Sequence, residues 1–157
     1  MSMAKEIERK FLVESDDWRK EVDEQSVIRQ GYIASMEDRA VRVRILNQDR
    51  ARLTIKIGRG GMTRDEFEYD IPVPDAEELL QAAFGTIIEK TRHCIRRGDY
   101  TWEVDVFAGA HQGLVVAEVE MDAEDEEPAL PDWLGREVTG DDRYSNFALA
   151  TAGLEGA

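Results

Sequence analysis

A chain of 157 residues, 42% of them hydrophobic, is long enough for one domain with its own core, and no apolar run approaches the ~18–20 residues of a membrane span. A formal net charge of -14 argues against non-specific binding to nucleic acid or to an anionic membrane, so a polyanionic ligand has to find a local cluster of bases or arrive with metal ions. One cysteine, Cys94, excludes an internal disulfide and fits a reducing cytoplasm, two histidines exclude a Cys/His zinc cluster, and the N-terminus is too charged for a secretory signal.

The first element is the strand Glu6–Val13, in which apolar and polar residues alternate. Side chains two apart share a strand face, so Glu6, Glu8 and Lys10 point the same way at a spacing of roughly 7 Å. Two carboxylates so placed suit a hard divalent cation, and an ammonium beyond them suits an anion next to it. The polar stretch 15–25, holding Trp18, reads as a short helix capped near Ser15 or Asp16. A second strand spans Val27–Ser35. A third, Arg39–Leu46, sets Arg42 and Arg44 against Val41, Val43 and Ile45. After a tight turn at Asn47-Gln48-Asp49, the fourth strand, Ala51–Ile57, sets Arg52, Thr54 and Lys56 against Leu53, Ile55 and Ile57.

Gly58-Arg59-Gly60-Gly61 is a flexible turn, without the Lys-Ser/Thr ending of a phosphate loop. The fifth strand, Met62–Ile71, gathers Arg64, Glu66, Glu68 and Asp70 on one face, with Phe67 and Tyr69 on the packing face. Pro72 and Pro74 end it, and Asp75 is the expected N-cap of a helix to about Phe84 with an apolar stripe of Leu79, Leu80, Ala83 and Phe84. A sixth strand starts near Thr86 and carries Ile88, Lys90 and Arg92 on one face. The seventh, Tyr100–Phe107, sets Glu103 and Asp105 opposite Trp102, Val104 and Val106. The eighth, Leu114–Asp122, sets Glu118 and Glu120 opposite Val115, Ala117, Val119 and Met121. An acidic segment follows, Trp133 returns as core cover, and 139–153 reads as a loop and helix capped by Asp141 or Asp142, packing Phe147, Ala148 and Leu149.

About eight strands with mostly short turns suggest a barrel or a strongly curled sheet. Alternation collects the charges on one face, with acids on the first, fifth, seventh and eighth strands and bases on the third, fourth and sixth. A solvated surface gains nothing from such segregation, since exposed ion pairs contribute little each. An inward face needs water, metals and a charged ligand to fill it. Bases crowded on neighbouring strands beside carboxylates are what a polyphosphate with bridging metals requires.

Glu6-x-Glu8-x-Lys10 resembles the ExExK signature of the CYTH superfamily, the triphosphate tunnel metalloenzymes. The similarity continues through Arg29-Gln30-Gly31-Tyr32, Arg42-Val43-Arg44, Thr54-Ile55-Lys56, Arg64-x-Glu66-x-Glu68, Glu89-Lys90-Thr91-Arg92, Glu103-Val104-Asp105, Glu118-Val119-Glu120 and Arg143-Tyr144-Ser145-Asn146, nearly the whole chain. The resemblance implies a mainly β, α+β fold: an eight-stranded antiparallel β-barrel tunnel with flanking helices, one domain over 1–157. It implies Mg²⁺- or Mn²⁺-dependent hydrolysis of a triphosphate, inorganic tripolyphosphate first, with a class IV-type adenylate cyclase and a non-catalytic binder as alternatives. Carried onto this chain, the metal ligands are Glu6, Glu8, Glu118 and Glu120, with Glu66, Glu68 and Asp105 assisting. The phosphates fall to Lys10, Arg42, Arg44, Lys56, Arg64, Lys90 and Arg92, with Lys10, Lys56 and Arg44 as the catalytic residues that stabilise charge on the transferred phosphoryl and Arg143 over the tunnel mouth. The expected partner is a small-molecule triphosphate, with no nucleic acid or membrane and with a homodimer left open; Tyr32 and Tyr144 are substrate neighbours or packing.

Overall fold

The computed structural model describes residues 5–58, 63–145 and 148–149. The strands are β1 (Lys5–Val13), β2 (Glu24–Met36), β3 (Arg39–Leu46), β4 (Arg50–Ile57), β5 (Thr63–Ile71), β6 (Phe84–Arg97), β7 (Tyr100–Phe107), β8 (Val115–Glu120) and β9 (Leu134–Glu137), with one α-helix, α1 (Val73–Gln81), between β5 and β6. All nine strands form one sheet in the order β5-β4-β3-β2-β6-β7-β8-β1-β9. A further β5–β1 pairing closes eight of them into an antiparallel barrel. The seam is short among the described residues: there only Lys5, Glu6 and Ile7 pair with β5, opposite Asp65, Arg64 and Thr63. Beyond it that edge of β1 is taken by β9, through Phe11↔Glu137 and Val13↔Leu134. Among the described residues no helix is long and apolar enough to cross a membrane.

Several boundaries differ from the sequence reading. α1 begins two residues before Asp75, with Pro72 as N-cap and Pro74 in the first turn, where a missing N–H costs nothing. It ends at Gln81, so Phe84 leaves the helical stripe and opens β6 two residues before Thr86. β2 runs three residues earlier and one later than expected, paired with β6 through Glu24↔Cys94 and Gln25↔His93. β9 has too little alternation to be read as a strand. The expected 15–25 helix is a 3₁₀ turn at Asp17–Glu21, and the C-terminal one is a 3₁₀ turn at Asp142–Tyr144 followed by helical 148–149. Phe147 lies outside the described residues. The Asn47-Gln48 hairpin holds as read, both residues taking positive φ, 52° and 65°.

The apolar faces point outward and are covered in two places. Trp18 and Trp133 close over Phe11, Ile95, Trp102, Val104, Ala117 and Val119, with Trp102 and Trp133 edge-to-face at 6.0 Å. α1 buries Ala76 and Leu80 against Val43, Ile45 and Ala51. Gly31 makes that second contact possible: a Cβ there would lie 2.9 Å from Ala83 Cβ and 2.9 Å from Ile87 Cδ1. Phe67 and Tyr69, assigned to packing, are instead 38% and 56% exposed, since α1 reaches the outer faces of β2, β3 and β4 and leaves that part of β5 bare. A third cluster, Tyr32, Ile88, Phe107, Val116 and Leu149 with Leu12 and Ala40, comes from the same strand faces that carry the charges, one step further along. One end of the barrel interior is therefore apolar.

Candidate functional site

The strand order gives the segregation of charge a spatial meaning. The acid-bearing strands β5, β1, β8 and β7 are consecutive around the barrel, and the base-bearing β6, β3 and β4 lie in the other half with β2 among them. One half of the wall is acidic and the half facing it is basic. Between them lies a cavity of about 170 Å³, lined by Glu6, Glu8, Glu66, Glu68, Glu103, Glu118 and Glu120 and by Arg42, Arg44, Arg52, Lys56 and Arg92. A second cavity of about 150 Å³ shares Glu8, Arg42 and Lys56 with it and reaches the β2–β3 hairpin, taking in Lys10, Tyr32, Arg64 and Ser145.

Cross-strand register sets the acidic half: Glu8 stands opposite Glu120, and Glu118 lies between Lys10 and Glu103. Burial, together with Glu118 and Glu6, pushes the Glu8 carboxyl well above the usual range. Burial also raises Glu6, against the pull of Lys56. Glu120 sits at the exposed rim and is pushed up to about 7 by desolvation and by Glu6 and Glu66. Glu118 goes the other way: against the cost of burial, the Lys10 ammonium and a hydrogen bond from Glu8 hold it well below the usual range. The half-wall thus carries more negative charge than it can hold ionised. Among the described residues no three carboxylates converge as a ready-made ion site. Lys56 Nζ bridges Glu6 at 3.2 Å and Glu66 at 3.4 Å, so an ammonium stands where the acids gather. The donors are all oxygens, which fits Mg²⁺ or Mn²⁺ by chemistry, and a divalent cation would relieve the raised carboxyls.

The bases differ in how far their charge is already matched. Lys10 pairs with Glu118 at 3.6 Å and donates to the Tyr144 carbonyl at 3.2 Å. Arg52 lies near Glu68 and Asp70. Arg92 is bidentate to Asp105 at 2.8 Å and reaches Glu103 at 3.4 Å. Arg42 and Arg44 are buried, and neither has a carboxylate at ion-pairing distance among the described residues. Burial, with Arg42 and Arg92 nearby, lowers Arg44 to about 9.

Of the residues singled out from sequence, Glu6, Glu8, Glu66, Glu68, Glu118, Glu120, Arg42, Arg44, Lys56 and Arg92 meet around the inner cavity, and Lys10 and Arg64 line the outer one. Asp105 and Lys90 line neither. They are sealed with Arg92 in an ion-pair triad, Lys90 Nζ 2.8 Å from Asp105 and 5.3 Å from the centre of the Phe107 ring. Arg143 is on the surface, bidentate to Asp141, and Ser145 lines the outer cavity instead. Tyr32 both lines that cavity and packs in the apolar end. Glu103 and Arg52 were left out of the site although alternation had put them on the charged face. Gln30 was missed because a neutral side chain on a charged face gives no signal.

The comparisons agree with this geometry. The family model described as the CYTH domain matches residues 4–146. The inorganic triphosphatase of Acetivibrio thermocellus is 46% identical over 148 residues, covering 94% of each chain. That of Nitrosomonas europaea is 39% identical over 150 residues, covering 92% of this chain and 96% of the relative. A solved structure of an inorganic triphosphatase is 36% identical, covers 96% of this chain and 95% of its own, and superposes with a TM-score of 0.66. Barrel closure, the charged lumen and these similarities lead to one conclusion: the chain belongs to the CYTH domain family.

Proposed function

We propose that the protein is an inorganic triphosphatase, cleaving tripolyphosphate to pyrophosphate and phosphate inside the barrel. The observation that carries this is the pair Arg42 and Arg44. A buried guanidinium without a carboxylate is costly unless an anion completes it, and among the described residues Arg42 Nε has no hydrogen-bond partner. Arg42, Arg44, Lys56 and Lys10 bind and align the phosphate chain, with Arg64 at the outer end. Arg44, Lys56 and Arg92 face the charge that builds on the transferred phosphoryl and stabilise it. Glu6, Glu8, Glu66, Glu68, Glu118 and Glu120 would hold the divalent cation, Mg²⁺ or Mn²⁺. When bound, that cation supplies Lewis acidity toward phosphate oxygens and lowers the pKa of water. Asp105 and Lys90 belong to the support: they fix Arg92 rather than touch the substrate. The apolar end around Phe107 and Leu149 excludes water from one side of the lumen.

The test is product analysis. Purified protein incubated with tripolyphosphate or ATP, with Mg²⁺ or Mn²⁺, should release phosphate and pyrophosphate from tripolyphosphate in equal amounts and prefer it to ATP. Cyclic AMP with pyrophosphate from ATP would overturn the hydrolase reading, as would tight triphosphate binding without turnover.

A further inference from the structure

Two arginines of the basic half-wall are held in place by different chemistry. Arg92 is gripped by carboxylates, Asp105 at 2.8 Å and Glu103 at 3.4 Å. Arg44 is gripped by an amide: its Nε donates to Gln30 Oε1 at 2.8 Å. A carboxylate fixes a guanidinium and cancels its charge. An amide oxygen fixes it and leaves the charge in place. Gln30 is fully buried, 0% exposed, directly across the strands from Arg44 and beside Ile88 on the other side. Its Nε2 has no hydrogen-bond partner among the described residues, so what this amide adds to the wall beyond its one acceptor is a further donor. Neighbouring Gly31 faces outward under Leu80 and Ala83, which fixes the backbone from which Gln30 projects inward.

The geometry points to Gln30 as a positioning residue for the triphosphate: it orients the Arg44 guanidinium toward the lumen through a neutral acceptor, so that the full positive charge is kept for substrate. This rests on the triphosphatase reading. A glutamine here follows from the role. Glutamate would consume the charge that binds phosphate, and an apolar residue would leave Arg44 Nε without an acceptor.

The experiment compares Gln30→Glu, Gln30→Met and Arg44→Met with the wild type on tripolyphosphate under saturating Mg²⁺. Gln30→Glu keeps shape and acceptor, so a residue with only a structural role predicts an unchanged KM. The inference expects KM about tenfold higher or more, by loss of a charge-assisted contact, with kcat falling as well because Arg44 also faces the transferred phosphoryl, and with the melting temperature kept or raised. Gln30→Met should raise KM too, and its effect should be far from additive with Arg44→Met, because both remove the same interaction. A folded Gln30→Glu protein with wild-type KM overturns the inference. So does additivity in the Gln30→Met/Arg44→Met cycle, which decides the matter if Gln30→Glu fails to fold. If the wild type itself hydrolyses no triphosphate, the proposed function fails, and the same variants are ranked by calorimetric affinity for tripolyphosphate, where the same order is expected and equal affinities overturn the role of Gln30.

Discussion

Asp105→Asn is the substitution that best separates the scaffold of this site from its chemistry. Asp105 is 2% exposed at its side chain and holds both Lys90 Nζ and Arg92 at 2.8 Å. Asparagine keeps the size, loses the charge and turns an NH₂ toward two cations. Removing one partner of a buried ion pair costs about 3–5 kcal/mol, because the remaining charge is left uncompensated. With an unfolding entropy of about 2.1 cal/mol/K per residue, that corresponds to a melting temperature lower by about 9–15 °C in a chain of 157 residues. Calorimetric melts without divalent metal should show this loss. The Mg²⁺ concentration for half-maximal activity should stay near that of the wild type, because Asp105 acts through Arg92. Lys90→Met should cost far less: Asp105 keeps both hydrogen bonds from Arg92, and burial already lowers the Lys90 ammonium to about 7. An Asp105→Asn protein that melts within about 2 °C of the wild type would refute the reasoning, since that is well inside the shift of a single kcal/mol. An unchanged melt with a large shift in Mg²⁺ requirement would mark Asp105 as a metal ligand.

Three further outcomes are expected. Lys56→Ala should lose on the order of 10²–10³-fold in kcat, by analogy with other groups that stabilise transition-state charge; Arg97→Ala should be close to neutral in the same steady-state assay, because Arg97 lies on the outer surface with Glu21 and over Trp133. Glu6→Gln should abolish activity with the fold intact, and it should shrink the rise in melting temperature that Mg²⁺ gives the wild type by binding the native state. Equal Mg²⁺ shifts in both proteins would count against Glu6 as a ligand. The metal-free protein should lose stability as pH rises from about 5 to about 7, above which the Lys90 ammonium, lowered to about 7, titrates in the stabilising direction. Glu8 and Glu120 have raised folded-state values, so their contribution is full below the ordinary carboxyl value and is lost as pH rises through about 7 for Glu120. Glu118, held low, titrates below that window. Saturating Mg²⁺ should flatten the profile, and a flat profile without metal would contradict the assignment.

Much of this was legible in the sequence because a strand face repeats every second residue. Glu6, Glu8 and Lys10, or Arg42 and Arg44, could be assigned to a common face without any tertiary information. Alternation does not report depth along the barrel. Ile88, Lys90 and Arg92 share a face, yet Ile88 belongs to the apolar end, Lys90 to the sealed triad and Arg92 to the lumen. Nor does it report which strands are neighbours. That acids occupy consecutive strands depends on β5 meeting β1 and β1 meeting β8, pairings made across 56 residues and more. The helix boundary was missed because Pro72 and Pro74 read as a strand stop and also serve as a helix start. Gln30 was passed over because its importance lies in being uncharged where its neighbours are charged.

Among the described residues the short β1–β5 seam is the mechanical weak point of the barrel. β3 and β4 are joined through eight residue pairs, whereas β1 and β5 meet through three among the described residues. Glu6 stands on one side of that join and Glu66 on the other, with the Lys56 ammonium reaching both. A cation taken by these two carboxylates would bind across the join and act as a clasp, so loading the enzyme would also fasten its wall. The amides of Thr63–Asp65 should then be among the fastest of the barrel strands to exchange with deuterium in chelator, and the ones most slowed by added Mg²⁺.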